Sequence, residues 1–210
     1  MASRAALKKS APPAPAREDV RNETKRRLLD AAAAALIEND GALEMSDVAA
    51  RAGASAGLAY HYFGSKSGLV SAVLAEFFDR YDAVINMRMD GRESWAKRER
   101  RRLDALIAFL FKDPLAPIAF GRLSKTPEVV AVEAARWRAL VELSAKNIEN
   151  GQKSGSLSRD VDAHIAGAAI LGGVRDACSF VLSQEKRPSP AALSENLWRF
   201  IAGAVRLREE

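Results

Sequence analysis

The sequence predicts an all-α protein of two parts, and two features of its pattern support that fold class. Apolar residues recur three and four positions apart along most of the chain, as helices with one buried face require. Glycine and proline residues stand between these stretches, and no stretch alternates apolar and polar residues as a half-buried strand would. With 210 residues, 48% of them hydrophobic, the chain has room for a small and a medium helical domain.

The N-terminal part is predicted to contain three helices. The first presents one apolar face and stops at residues 39–41, and the second is short and ends at Gly53. Ser55 can cap a third helix that ends at Gly64. Two short helices joined by a turn of about four residues containing glycine match helix-turn-helix geometry. The apolar positions are Leu29, Ala32, Ala33, Leu36 and Ile37 in the first helix, Met45, Val48, Ala49 and Ala52 in the second, and Ala59 and Phe63 in the third.

The remainder of the chain also reads as helical. Ser65 is placed to cap a longer helix, which would link the two parts, and Pro114 and Pro127 stand where helices commonly begin. The linking helix has an apolar face formed by Val70, Val73, Leu74, Phe77, Phe78 and Tyr81. Further helices are predicted over residues 93–112, 114–124, 127–152, 161–184 and 189–207.

The positive charge of the chain is concentrated at one end. Residues 1–27 hold eight basic and three acidic residues, which accounts for the whole formal net charge of +5. Such a distribution suits a polyanion such as DNA, although a solubilising tail would look alike. Residues 1–18 lack periodic apolar positions, so they are predicted to be a disordered basic tail.

Several functional classes are disfavoured by the sequence. The single cysteine, Cys178, cannot form an intramolecular disulfide, no cysteine–histidine spacing suggests a metal, and no cofactor is indicated. His61 and His164 are far apart and no nucleophile motif is present, so an enzyme is not expected; residues 64–68 (GSKSG) lack the spacing of a phosphate loop. Arg175 and Asp176 interrupt the one long apolar stretch, so a cytoplasmic protein without a membrane span is expected.

Several short segments in order carry a family resemblance. The segments are residues 24–32 (TKRRLLDAA), 47–49 (DVA), 52–55 (AGAS), 57–63 (GLAYHYF) and 65–66 (SK). Over about 60 residues they closely resemble the DNA-binding region of TetR-family regulators. The resemblance implies an N-terminal three-helix DNA-binding domain with a helix-turn-helix and a C-terminal helical domain that binds ligand and dimerises.

The resemblance also implies which residues contact DNA. Tyr60, Tyr62, Lys66 and Thr24 match family positions that contact phosphates, and Lys25 would assist electrostatically. Ser55, Gly57, Leu58 and His61 are the candidate base contacts, with His61 equally suited to a phosphate or a structural role. Leu58 and Ala56 stand where many members have a threonine and a polar residue, and Glu44 replaces a threonine that often starts the second helix.

The C-terminal part is expected to hold a ligand site and a dimer interface. The segment 165–182 is apolar on nearly all sides, which favours burial against a second copy, and Gly167, Gly172 and Gly173 would permit close helix approach. The mix of aromatic residues and arginines suits a largely apolar ligand with an acidic group. The candidate ligand-binding residues are Trp95, Phe109, Phe120, Arg122, Trp137, Leu140, Arg175 and Phe180.

The sequence thus predicts a ligand-responsive regulator with its DNA-binding domain at residues 19–65 and its sensor domain at residues 66–210. It would bind a palindromic operator in double-stranded DNA as a homodimer and be released by a small effector. The alternative is a helical protein-interaction module without sequence-specific DNA binding. The basic run 97–102 is expected to form a solvated helix face, or to face a partner or DNA.

Overall fold

A computed structural model describes residues 17–208 of the chain. Within that range the chain forms eight α-helices, one turn of π-helix and no strand, which confirms the predicted all-α class. The α-helices are α1 (Arg17–Glu38), α2 (Met45–Arg51), α3 (Ala56–Phe63), α4 (Lys66–Ile85), α5 (Trp95–Lys112), α6 (Pro127–Lys153), α7 (Ala163–Leu182) and α8 (Pro190–Ala204), and the π-turn spans Ile118–Arg122.

Helices α1 to α3 pack into a small N-terminal unit. Leu28, Leu36, Val48 and Ala59 are fully buried between them. The turn between α2 and α3 passes through Gly53, which has a φ of +62° and so occupies the left-handed region that favours glycine. The two short helices and this turn form the predicted helix-turn-helix, which presents the opposite face of α3 to solvent.

An aromatic cluster joins α4 to α5 and the π-turn. Phe77 stacks on Phe109 with ring centroids 5.7 Å apart, and Phe120 of the π-turn contacts Phe77, Phe78 and Tyr81 at 5.4 to 6.0 Å. Such ring pairs add stability beyond the area they bury. The cluster fixes the C-terminal half of α4 within the larger, C-terminal unit.

The helix bounds differ from the expected ones in two places. Residues 114–124 were expected to form an ordinary helix, but only residues 116–122 are helical, and 118–122 of these form a π-turn whose Phe120 reaches the aromatic cluster. Helix α1 begins at Arg17, so the last two residues of the predicted tail are helical. The rest of that tail, residues 1–16, lies outside the described residues.

Helix α7 packs on α6 and α8 through glycines. A Cβ added at Gly167 would lie 3.1 Å from the Ser144 hydroxyl of α6, and one at Gly173 would lie 3.1 Å from the Phe200 ring of α8. These two glycines therefore serve packing within the chain. By length and composition α7 could cross a membrane, since its mean hydropathy is 1.5 despite Arg175 and Asp176. The two charges that were expected to exclude a span do not exclude one on these criteria.

Gly151 in α6 is predicted to be essential for the packing around Trp95. A Cβ there would lie 2.6 Å from Leu157 Cδ1 and 2.8 Å from Trp95 Cδ1, and both side chains are buried. Gly151→Ala should therefore lower the free energy of unfolding by about 1–3 kcal/mol, as overpacking usually does. Urea denaturation would measure the change.

The matched control is Gly57→Ala, because a Cβ at that exposed helical position meets only the Ser55 hydroxyl at 4.0 Å. This variant should be neutral or slightly stabilising. Equal unfolding free energies for the two variants would contradict the packing account.

Candidate DNA-binding surface and ligand cavity

The exposed face of α3 carries four of the candidate DNA contacts. Ala59 is buried against α2, so Tyr60 is half exposed and Gly57 and His61 project into solvent, with Leu58 half-buried at the edge. Lys25 of α1 is also exposed. A helix with one packed side and one open side has the geometry that major-groove reading requires.

Three candidate hydroxyl contacts already have hydrogen-bond partners within the chain. Tyr62 Oη donates to the Arg21 carbonyl at 3.3 Å, and Thr24 Oγ1 donates to the Val20 carbonyl at 2.9 Å while only 8% of Thr24 is exposed. Ser55 Oγ accepts from the Leu58 amide at 3.2 Å, which caps α3. These three hydroxyl groups are therefore better suited to holding α1 and α3 in position than to contacting DNA directly.

Lys66, the first residue of α4, forms an ion pair with Glu44. The distance from Lys66 Nζ to Glu44 Oε1 is 2.8 Å, and both side chains are largely exposed. Glu44 precedes α2 but makes no side-chain hydrogen bond to its first turn. Glu44, which departs from the family pattern, thus pairs with Lys66, a candidate phosphate contact, instead of capping α2.

The turn that places Lys66 is tightly constrained. Ser65 Oγ accepts from the Gly68 amide at 3.0 Å and caps α4, and Gly64 has a φ of +73°. A Cβ at Gly68 would lie 2.1 Å from the Phe63 carbonyl oxygen, so only glycine allows the end of α3 to approach α4 this closely. The predicted helix end at Gly64 and the predicted cap at Ser65 are thus confirmed, whereas the close approach at Gly68 was not predicted from the sequence.

A large cavity opens in the C-terminal unit among α4, α5, α6 and α7. Its volume is about 520 Å³, within the range of small-molecule sites. The floor and walls are largely apolar, and the loop between α4 and α5 forms part of its rim. The lining includes Tyr81, Trp95, Arg98, Arg102, Leu103, Leu106, Leu140, Leu143, Ile170, Leu171, Val174 and Ile201.

The candidate ligand-binding residues lie in five different environments. Trp95 and Leu140 line the large cavity, whereas Phe109 and Phe120 belong to the aromatic cluster. Phe180 is 66% exposed on α7. The remaining three make other contacts: Trp137 and Arg175, together with Leu140, line a second cavity of about 30 Å³, and Arg122 pairs with Asp40.

The small cavity is surrounded by paired charges. Arg175 of α7 forms a two-point ion pair with Glu133 of α6, and Arg136 of α6 pairs with Asp79 and, at 3.0 Å, with Asp82 of α4. Burial raises the pKa of Asp82, and the Arg136 charge opposes that rise. A space of this size holds about one water molecule, so the network is a structural link between three helices and leaves little room for a ligand.

Helix α4 connects the candidate DNA-binding surface to both cavities. Its first residue is Lys66, and its last turns contribute Tyr81, Asp82 and Ile85 to the cavity walls. At 20 residues it is about 30 Å long at the usual helical rise of about 1.5 Å per residue. Arg122 of the π-turn also contacts Asp40 in the α1–α2 loop at 2.5 Å, which adds a second link between the two units.

Comparison with known proteins identifies the N-terminal region. Residues 28–73 match the sequence model of the family described as bacterial regulatory proteins, tetR family. The HTH-type transcriptional regulator BetI of Rhizobium meliloti (strain 1021) is 39% identical over 98 residues, which are 44% of this chain. Those residues span 45% of BetI, so the match covers less than half the length of that relative.

The fold of the whole chain is shared with solved regulators. A TetR-family transcriptional regulator from Pectobacterium atrosepticum is 20% identical with a TM-score of 0.68, covering 93% of this chain and 99% of that one. RolR, solved in complex with the ligand resorcinol, is 18% identical with a TM-score of 0.62, covering 92% of this chain and 99% of RolR. Residues 28–73 thus have the sequence of a tetR-family DNA-binding region, and the chain has the fold of solved TetR-family transcriptional regulators.

Proposed function

We propose that this protein is a cytoplasmic, ligand-responsive repressor that binds a palindromic DNA operator as a homodimer and is released by a small effector. The observation that carries the proposal is the continuity of α4, which begins beside the exposed face of α3 and ends in the wall of the 520 Å³ cavity. A ligand that favours one arrangement of the cavity would therefore also favour one orientation of α3, the helix proposed to read DNA.

The exposed residues around α3 and α4 support binding to DNA. Tyr60 and Lys66 present a hydroxyl and an ammonium group suited to phosphate oxygens, with Lys25 nearby in the same unit. Gly57, Leu58 and His61, on the outward side of α3, would contact base edges. Thr24, Ser55 and Tyr62 would hold α1 and α3 in position for these contacts.

A homodimer is supported by the outer apolar face of α7 and α8. Ile165 is 71% and Phe180 66% exposed, and Phe200 of α8 is also exposed. Large apolar side chains exposed on two helices suggest a protein interface, and a self-complementary face would produce a two-fold dimer. Two reader helices related in this way would fit half-sites about 34 Å apart, one turn of DNA.

In vitro selection from random duplexes tests the function directly. The protein should enrich an inverted repeat, and fluorescence anisotropy should then show tighter binding to the selected duplex than to a scrambled one, with a steep salt dependence. Enrichment of no sequence, with equal binding to both duplexes, would contradict the proposal and favour the interaction-module alternative.

Lys66→Ala is expected to weaken binding to the selected duplex without changing sequence preference. Loss of one phosphate contact should reduce the slope of log affinity against log salt by about 0.9. Lys97→Ala, which removes an exposed lysine of α5 in the C-terminal unit, is the control and should leave the slope unchanged. An unaltered slope for Lys66→Ala would remove this residue from the proposed interface.

Glu44→Gln is expected to strengthen DNA binding by about three- to tenfold, because it frees Lys66 and removes a negative charge beside the phosphates. Anisotropy titrations of both variants would measure this. Glu38→Gln is the control, since Glu38 pairs with Arg51 at 2.5 Å and lies at the end of α1 remote from Lys25. Weaker binding by Glu44→Gln would show that the Glu44 carboxylate strengthens DNA binding instead of weakening it.

Phe180→Glu is expected to dissociate the dimer, because it places a charge in the proposed apolar interface. Analytical ultracentrifugation should show a monomer, whereas Val130→Glu, at a similarly exposed apolar position on α6, should remain dimeric. Circular dichroism would establish that both variants fold. A wild-type protein that sediments only as a monomer at micromolar concentration would contradict the homodimer.

A further inference from the structure

The basic run 97–102 does not form a uniformly solvated face. Arg98 and Arg102 are four positions apart on α5 and line the large cavity together with Trp95, Leu103 and Leu106, which follow the same helical stripe. Lys97 and Arg101 are exposed on other sides of the helix. Half of the run 97–102, which the sequence suggested to be a solvated helix face, therefore forms part of a cavity wall.

The charges of this wall are unbalanced. The cavity is lined by the basic residues Arg88, Arg98, Arg102 and Lys146, and by a single carboxylate, Glu99, which pairs with Arg102. Within residues 17–208, no carboxylate lies within 4.0 Å of the other three basic side chains. A cavity with unmatched positive charge favours an anionic occupant and disfavours a cation.

Arg98 is the best placed of these three residues. Arg88 and Lys146 are exposed at the rim, whereas Arg98 is half-buried. One Arg98 Nη group donates to the Glu93 carbonyl, which orients the side chain and leaves further guanidinium N–H groups for a ligand. A carboxylate can accept two parallel hydrogen bonds from such a group.

The opposite wall is largely apolar, although α6 also contributes Ser144, Asn147 and Asn150 to the lining. Leucine, isoleucine and valine side chains from α6, α7 and α8 line it, and these are Leu140, Leu143, Ile170, Leu171, Val174 and Ile201. A hydrocarbon chain or ring bound there would leave water for an apolar surface. The two walls together fit a molecule with an apolar body and one acidic end.

We propose that the large cavity binds an amphipathic organic acid, whose carboxylate pairs with Arg98 and whose apolar body packs against α6, α7 and α8. This proposal rests on the proposed function, in which the same cavity receives the effector. It also assigns the specificity for an anion to α5, outside the arginine–carboxylate network around the small cavity.

Isothermal titration calorimetry with decanoate and decyltrimethylammonium, both below micelle-forming concentrations, tests the proposal. The probes share a chain length and carry opposite charges. Decanoate should bind and the cation should not, and Arg98→Gln should weaken decanoate binding by about ten- to a hundredfold. Arg101→Gln is the control, because Arg101 has the same side chain on the same helix but pairs with Glu93 outside the cavity.

Two results would overturn the assignment: equal binding of the two probes, or decanoate binding that Arg98→Gln leaves unchanged while circular dichroism shows a folded variant. The effect of decanoate on the selected duplex separates this proposal from the proposed function. Binding that depends on Arg98 without any change in DNA affinity would support the ligand assignment and contradict release by an effector in this cavity.

Discussion

The structure depends on the close contact at the start of α4. Because a side chain at Gly68 would collide with the Phe63 carbonyl, the end of α3 packs closely on the first turn of α4, and we expect the two to move together. The Ser65 cap fixes the same turn. Any rotation of α4 is therefore passed to the exposed face of α3, and Lys66 stays at a fixed place beside it.

The C-terminal half of α4 is held by ion pairs as well as by the aromatic cluster. Arg136 joins Asp79 and Asp82 to α6, and Arg175 joins α6 to α7 through Glu133. Separating one member of such a partly buried network would leave a charge uncompensated, which is costly. If the helices shift, we therefore expect the charged side chains to stay paired by exchanging partners. The contact between Arg122 and Asp40 is exposed and would yield more easily. These differences in burial favour a motion in which α4 moves with the C-terminal unit over one in which α1 to α3 move independently.

The sequence predicted the helices and the exposed face of α3, because caps and apolar spacing are local signals. Ser55 and Ser65 each accept a hydrogen bond from the first turn of the helix that follows them, as their positions suggested. The sequence did not predict that the Thr24 and Tyr62 hydroxyls form hydrogen bonds within the chain or that Glu44 pairs with Lys66. Those contacts join residues of different helices or depend on side-chain direction, which spacing along one helix does not specify.

The same limitation explains why the candidate ligand residues are divided between the cavities. Composition indicated aromatic residues and arginines, but an arginine whose charge is already balanced by a carboxylate of the fold is less available to an anionic ligand. Arg175 and Arg122 have carboxylate partners, whereas Arg98 donates to a single backbone carbonyl and faces a 520 Å³ space. Charge balance within the fold therefore separates structural arginines from one suited to an anion, and it assigns ligand recognition to the face of α5 that helical periodicity alone left ambiguous.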